Sequence, residues 1–305
     1  VRDILRFYDT DLSLTAFADE GETLGTYLER NAYSAEFIDH YLVPMAAAIW
    51  SAEPGSVLKM PIRFLLRFFQ NHGLLQIVDR PKWRVIKGGS ERYVQKLVAA
   101  HREKIRLGSQ VRSVRRLLNG VEIVTAAGAP ELFDQVFIAC HSDQALKLLG
   151  DATPVEREVL GAMRYQSNDA ILHTDVSLMP KRKLAWSAWN YHIPQNSMGH
   201  VAVTYNMNIL QGLNSQNQYL VTLNNKQRID PDKILYRVLY DHPIYSTESV
   251  ANQKRQNELN FDRTFFCGAY WGNGFHEDGV VSALNAVDHF KEGLSNGKLY
   301  LPRAS

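Results

Sequence analysis

The stretch FFCGAYWGNGFHEDGVVSALNAVDHF, residues 265 to 290, decides how this chain is read. An apolar strand over Thr264 to Cys267 runs into glycines at 268, 272, 274 and 279. The acidic pair Glu277 and Asp278 then opens an amphipathic helix, with Val280, Val281, Leu284, Val287 and Phe290 on its apolar face. A helix start presents free N–H groups and a positive dipole end, which suits an anion. The competing reading is a surface helix whose Asp278 satisfies its own first turn. Strand, glycine loop and helix in this order form one end of a cofactor site, yet no phosphate-binding loop accompanies them. GNGFHE is not a dinucleotide fingerprint, because Glu277 stands where the third glycine is needed, and neither GxGxxG nor GxxxxGKS/T occurs anywhere in the chain.

Upstream, QVFIAC (135 to 140) is a continuous apolar run of the kind expected of a strand buried on both faces. HSDQALKLLG follows at once as a helix, with Ser142 or Asp143 as its cap, giving half of a βαβ unit. Before it, IRLGSQVRSVRRLLNGVEIVTAAGAPELFDQ alternates, with turn signals at Asn119–Gly120 and Gly128, and predicts an antiparallel meander. Earlier still, WRVI (83 to 86) reads as a short strand, Gly88–Gly89 as a tight turn and SERYVQKLVAAH as a helix capped by Ser90. The glycine pair lets backbone approach either a ligand or a neighbouring strand.

The remaining segments differ in kind. Residues 1 to 80 read as helices: Thr23 caps LGTYLERNAY, Ser34 caps AEFIDHYLVPMAAAIW with a kink or break at Pro44, and Pro61 opens IRFLLRFFQNHGLL. Phe64, Leu65, Phe68 and Phe69 share one face of that last helix while Arg63 and Arg67 line another, as in a packed core face or a helix lying on a membrane. Between 151 and 260 the short apolar pieces AILHTD, LAWSAWNYH, HVAVTYNM and QYLVTLN predict an antiparallel sheet, flanked by PDKILYRVLYDHP and TESVANQKRQNEL as helices. Two kinds of structure are thus interleaved: helices over 1–82, an α/β segment over 83–150, an antiparallel sheet with helices over 151–260, and a closing α/β segment over 261–305.

Composition excludes several classes. At 305 residues, 45% hydrophobic and 22% charged, the chain is an ordinary globular one. A net charge of +2 gives no argument for nucleic acid. Cys140 and Cys267 are the only cysteines, so no disulfide framework is expected and a reducing, cytoplasmic setting is the simplest one. No apolar run approaches the roughly 20 residues that cross a bilayer. His72, His141, His192 and His276 are scattered, none at metal-ligand spacing, and there is no GxSxG. Cys140, at a strand end, reads as a small core residue rather than a nucleophile. Trp186, Trp189, Tyr191 and Tyr205 either floor an apolar pocket or belong to the sheet's core.

Taken together, these motifs resemble the flavin-containing amine oxidase superfamily over nearly the whole chain. TLGTYLERNAYSAEFIDHYLVPMAAAIWSAEP is similar to the helical part of its substrate domain, WRVIKGGSERYVQKL to its GG segment near the flavin, and FFCGAYWGNGFHEDGVVSALNAV to its closing motif. NHGLLQIVDRPKW, ACHSDQAL, AWSAWNYH and FCGAYWGNGFHEDG resemble more narrowly a group of bacterial NAD/FAD-binding amine-oxidase-like proteins and the N-terminal domain of plant cyclopropane fatty acid synthases. The resemblance implies α/β plus α+β architecture: an FAD-binding Rossmann-like domain interleaved with a substrate domain of helices and an antiparallel sheet.

The resemblance also implies a site. Gly88, Gly89 and Ser90 would approach the flavin, Val111 and Val114 would lie by the adenine, Glu277, Asp278, Gly279 and Val280 would meet the ribityl chain and the N1–O2 edge, and Gly268 is a further cofactor-binding candidate. Trp189, Asn190, Tyr191, His192 and Tyr205 are the candidate substrate-pocket residues. No catalytic base can be assigned, no metal is implied, and a covalent cysteinyl flavin is not supported because Cys267 occupies the closing strand. The chain departs from the family pattern in lacking the strand, GxGxxG turn and helix that hold the FAD pyrophosphate. It reads either as part of a longer gene product beginning before Val1 or as a chain that has lost FAD binding, with an exposed sheet for self-association or a partner to cover. The implied function is an FAD-dependent oxidoreductase passing hydride from an amine or apolar, lipid-like substrate to flavin N5. The alternatives are a non-catalytic, partner-binding remnant and a lipid desaturase or isomerase, and peripheral attachment to a membrane goes with the lipid readings.

Overall fold

The computed structural model of the protein describes residues 1–10, 21–193 and 202–296. In chain order its strands are β1 (Val111–Leu117), β2 (Gly120–Thr125), β3 (Pro130–Phe133), β4 (Val136–Ile138), β5 (Arg164–His173), β6 (Trp189–His192), β7 (Ala202–Asn206), β8 (Leu220–Leu223), β9 (Ile234–Ile244) and β10 (Thr264–Phe266). The chain folds as two compact units, one of Val1–Arg102 with Tyr165–Thr247, the other of Glu103–Arg164 with Glu248–Ser305.

In the second of these units β1, β2 and β3 form the expected antiparallel meander, with Leu117 opposite Gly120 at the tight turn. β4 and β10 pair in parallel, Phe137 beside Phe265. β4 is not buried on both faces: Phe137 is 40% exposed while Ile138 is buried, although the Phe137 ring stacks on Phe265 at 4.8 Å. The Ser142–Leu148 helix follows β4, but neither expected cap operates. His141 is the N-cap, and Ser142 instead donates its hydroxyl to the Met163 carbonyl at 3.2 Å. A buried polar knot ties the unit together. The Arg116 guanidinium on β1 meets Asp151 at 3.1 Å and the fully buried Glu156 at 2.6 Å, and it also donates to Thr264 on β10. The Pro154–Gly161 helix that carries Glu156 is held by a reciprocal capping box with Thr153.

The long closing helix, His276–Ser295, begins one residue ahead of the acidic pair, with Phe275 as N-cap. Its inward face also differs from the expected one. Ser282 and Ala286 are buried, and Ala283, Phe290 and Leu294 pack against Phe265 and Cys267. Val280 and Leu284, at 48% and 59% exposed, lie outside that contact. Small side chains at 279, 282, 283 and 286 let the helix approach β10 closely, and close approach outweighs the larger apolar residues on the neighbouring stripe.

In the other unit, the helices of the first hundred residues bury an aromatic core. Thr23 and Ser34 cap as expected, each accepting from the backbone N–H three residues on. Pro44 does not break its helix: a π-helical turn over Ile38–Leu42 leads into Val43–Trp50, a rare single turn of the kind found inside continuous helices. Phe7 sits among Tyr27, Tyr33, Phe37 and Phe69, with ring centroids 5.6 to 6.5 Å apart. The Ile62–Asn71 helix buries Leu65, Phe68 and Phe69 with Pro61 as N-cap, so its aromatic stripe is a packed core face.

The sheet of this unit has the order β6-β7-β8-β5-β9; the first two residues of the expected HVAVTYNM strand lie outside the described residues. Two expectations need correction here. PDKILYRVLYDHP is not a helix, because Ile234–Ile244 is the edge strand β9. Its Ile, Val and Tyr content suits a strand, and Pro243 is tolerated at a sheet edge. WRVI is not a strand: residues 83–86 lie outside any strand or helix, and Trp83 is 62% exposed. The helix that follows, Glu91–Val98, belongs to this unit, and Ser90 makes no side-chain cap bond to it.

Candidate functional site

The junction between β10 and the closing helix is built by hydrogen bonds that leave little freedom. Cys267 N–H donates to the Ile138 carbonyl at 3.1 Å, extending the β4–β10 pairing to the point where the chain turns. There Gly268 N–H donates to the Ser282 hydroxyl at 2.9 Å, and that hydroxyl donates to the Gly279 carbonyl at 2.8 Å. From the other side the Gln256 amide donates to the Phe266 and Ser282 carbonyls, both at 2.9 Å. The Gln253 amide donates to the Tyr270 carbonyl at 2.9 Å and to that of Gly272. Gly268 has no room for a side chain, since a Cβ there would lie 2.5 Å from the Tyr270 ring. A Cβ on Gly272 would collide with the Asp278 carboxylate.

The same carboxylate accepts the Phe275 N–H at 2.9 Å, so Asp278 caps its own helix, while Glu277 is exposed and a Cβ on Gly279 would lie in ordinary contact, 3.9 Å from the Ala269 backbone nitrogen. The amides of the first helical turn have no preceding turn to donate to. The Trp271 indole N–H is buried and unpartnered among the described residues. A glycine-lined turn and a positive helix end are features that suit an acceptor-rich, anionic group.

Val114 and Val111 lie in the same unit on β1. Val114 is buried and its carbonyl accepts from Gly150 N–H at 3.0 Å; Val111 is half-buried beside a register shift. Both thiols of this unit are quiet: burial pushes Cys140 and Cys267 above the ordinary cysteine range.

In the other unit, Gly88 and Gly89 adopt φ of +83° and +85°, left-handed conformations that glycine alone takes easily. Gly89 closes the turn by donating to the Ile86 carbonyl at 2.9 Å. The candidate pocket residues do not form one cluster, because the pleat separates them. In the β6–β7 register Trp189 faces Tyr205 and Tyr191 faces Val203 on one side, while Asn190 pairs with Thr204 and His192 with Ala202 on the other. Trp189 and Tyr205 meet edge to face at 5.5 Å, and the Tyr205 hydroxyl donates to the Ala48 carbonyl at 3.2 Å. Burial raises the phenols of Tyr191 and Tyr205 above the usual tyrosine range. The buried Asn190 spends its amide on backbone, accepting from Ser187 N–H and donating to the Ser187 and Thr204 carbonyls.

Ser282, Gln253, Gln256, Trp271 and Thr204, whose hydroxyl lies 3.0 Å from His192 Nε2, escape sequence reasoning, since each matters through partners distant in the chain. Only Ser282 left a signal, as a small polar residue three positions after Gly279. No group of His, Cys, Asp and Glu among the described residues could hold a metal ion. Nor is any described helix long and apolar enough to cross a membrane.

The sequence pattern of the family described as flavin containing amine oxidoreductase matches residues 10–204. The chain belongs to that family. Among solved structures, it is similar to a CLA-producing fatty acid isomerase from P. acnes, at 14% identity and a TM-score of 0.63, over 95% of this chain and 74% of that one. It is similar to cyclohexylamine oxidase from Brevibacterium oxydans at 13% identity and a TM-score of 0.59, over 96% and 74%. A reduced UDP-galactopyranose mutase aligns at 13% identity and a TM-score of 0.59, over 96% and 71%. No curated protein sequence matches. These likenesses establish an FAD-dependent amine-oxidase type of fold, with mixed helix and sheet.

Proposed function

We propose that the chain serves an FAD-dependent oxidoreductase of the amine-oxidase type, acting on an amine or an apolar, lipid-like substrate. The observation that carries this reading is the junction of β10, Gly268 and the closing helix, where the Ser282 hydroxyl bridges Gly268 to Gly279. The donor-rich, glycine-lined junction fits the ribityl and ring edge of a flavin. A bound flavin would supply the redox chemistry, taking the substrate's hydride at N5.

The chain's own residues bind and orient. Glu277, Asp278, Gly279 and Val280 are proposed at the ribityl chain and the N1–O2 edge, where the helix start stabilises negative charge, with Gly268 beside them as a further cofactor-binding residue. Gly88, Gly89 and Ser90 are proposed to approach the flavin, and Val111 and Val114 to lie by the adenine. Trp189, Tyr191 and Tyr205 are proposed to hold the apolar part of the substrate. Asn190 shapes the strand beside them, and His192 is the polar member on the opposite side of the sheet. A fatty acid isomerase among the similar structures supports the lipid-like alternative.

Visible absorbance of the purified chain, titrated with FAD, tests the reading. A flavin band that shifts and gains structure on binding is the expected result, weakened in Ser282→Ala. A chain that leaves the spectrum of free FAD unchanged would sink it and favour the competing reading, a non-catalytic module that binds a partner.

A further inference from the structure

The sheet order β6-β7-β8-β5-β9 leaves two edges, and they are unlike each other. β6 is four residues long, Trp189–His192, whereas β9 runs for eleven, Ile234–Ile244. A short edge gives another chain little to pair with, while a long one offers a row of backbone donors and acceptors. Both ends of β9 are anchored on its own unit. Ile234 packs on Ile171, Leu178 and Ile229, and the Asn168 amide meets His242 Nδ1 at 3.0 Å. Between these anchors Leu235, Tyr236, Leu239 and Tyr240 are all more than half exposed, and Arg237 and Asp241 are exposed with them.

Charged residues on an edge ordinarily keep other strands away. On β9 the two charges have opposite sign and stand symmetrically, each two residues from Leu239, the middle of the strand. Consider two copies of β9 paired antiparallel about Leu239. Arg237 of one copy then lies directly opposite Asp241 of the other, and the two-fold axis repeats the contact. The other pairs match as well: Leu239 meets itself, Tyr240 meets Val238, His242 meets Tyr236 and Ile244 meets Ile234. Pro243, which has no N–H, falls opposite Leu235 near the strand end, where little of the ladder is lost. Sliding one copy by two residues sets each charge against an apolar side chain. Sliding it by four sets Arg237 against Arg237 or Asp241 against Asp241, and like charges directly opposite repel. One register therefore satisfies both the charges and the full length of the strand.

We propose that β9 is a docking edge for a second copy of this chain, the two strands pairing antiparallel about Leu239 so that two sheets become one. Asp241 is available for this role, since it bonds to none of the described residues. Arg237 meets Asp169 through Nε at 2.7 Å, and its guanidinium carries further N–H donors for a second carboxylate. A strand from a different protein would have to reproduce the same order of charges, which a second copy supplies by symmetry. The proposal concerns assembly and stands apart from the cofactor reading.

Cysteine trapping and sedimentation velocity on the full chain test it. Directly opposed residues of an antiparallel pair have Cα atoms about 4.5–5.5 Å apart, within reach of a disulfide. Leu239→Cys should therefore link to its own copy under mild oxidation, whereas Leu235→Cys, which faces Pro243, should not. The wild type treated alike controls for Cys140 and Cys267. In sedimentation, Asp241→Arg should weaken the dimer about tenfold, because both ion pairs become like-charge pairs. Arg237→Glu should do the same, and an equimolar mixture of the two variants should recover a dimer, since every charge then meets its opposite. Should Arg237→Glu fail to fold for want of its Asp169 contact, the two cysteine variants and Asp241→Arg still decide. Three results would each overturn the proposal: a Leu239→Cys chain that links no better than Leu235→Cys, folded charge variants that dimerise as tightly as the wild type, or a folded mixture that stays monomeric. A wild type monomeric throughout would also overturn it and leave the edge to a strand from a different protein.

Discussion

The Ser282 hydroxyl accepts the Gly268 N–H at 2.9 Å, joining the end of β10 to the first turns of the closing helix. Because the same hydroxyl donates to the Gly279 carbonyl, one buried side chain serves both sides of the turn. Ser282→Ala leaves the Gly268 donor without its partner, at a cost of about 1–3 kcal/mol. Urea unfolding should show a lower midpoint with an unchanged slope. A variant as stable as the wild type would mean that the turn is held by the two glutamine amides alone.

The Arg116 knot makes a sharper prediction. Glu156 is fully buried and spends its carboxylate on Arg116 at 2.6 Å and on Thr153 N–H at 2.7 Å. Arg116→Met strands that charge in the interior, at a cost of roughly 3–5 kcal/mol. The double replacement Arg116→Met with Glu156→Gln removes both charges and should recover much of the loss. Chemical denaturation of the two single variants and the double variant completes the cycle. Additive losses would show that the pair is not coupled.

The legible and illegible parts of this molecule divide along a physical line. The β1–β3 meander and the β10-to-helix junction could be read because local contrast marks them: alternating side chains, then glycines between apolar runs. β9 was misread because Ile234, Leu235, Val238 and Leu239 satisfy a helical spacing as well as a strand's composition, and only pairing in the sheet decides. The strand expected at WRVI failed for the converse reason, since suitable residues that pair with no neighbouring strand stay irregular and exposed. The closing helix was placed well but its inward face was not, because close packing favoured Ser282 and Ala286 over Val280 and Leu284. At the candidate site, the glycines were visible in sequence. The split of Trp189, Tyr191 and Tyr205 from Asn190 and His192 follows from strand alternation once β6 is placed. The hydrogen-bonded line from His173 through Thr222 and Thr204 to His192 was hidden, its links coming from separate strands.

Acid should expose a further dependence. Asp175 accepts the Ser177 and Asp230 N–H groups at 3.1 and 2.9 Å. Burial pushes its carboxyl up, but those bonds and the Lys233 charge outweigh it and bring the pKa down to about 2. A depressed carboxylate adds stability that is fully present above its unfolded pKa, roughly 3.9, and is lost as pH falls through the folded value. Stability should therefore decline between about pH 4 and pH 2 through this group, by on the order of 1–2 kcal/mol. Asp175→Asn should lower stability at neutral pH and flatten that part of the profile. Parallel profiles for the two proteins would show that the loss lies elsewhere.

The edge strand β9 bears on association. Leu235, Tyr236, Leu239 and Tyr240 are exposed along it, Leu239 at 65%, and its outer edge has no strand partner among the described residues. Exposed apolar edges template pairing with other chains unless charges interrupt them. Arg237 does not serve that purpose well, because Asp169 holds its guanidinium at 2.7 Å. Self-association is therefore expected to grow with protein concentration, and Leu239→Lys with Tyr240→Lys should suppress it without lowering the thermal midpoint. Sedimentation velocity across a concentration series reads this directly. An oligomer that persists unchanged in the lysine variant would place the contact on another surface, and a chain monomeric throughout would show that β9 is tolerated as a bare edge.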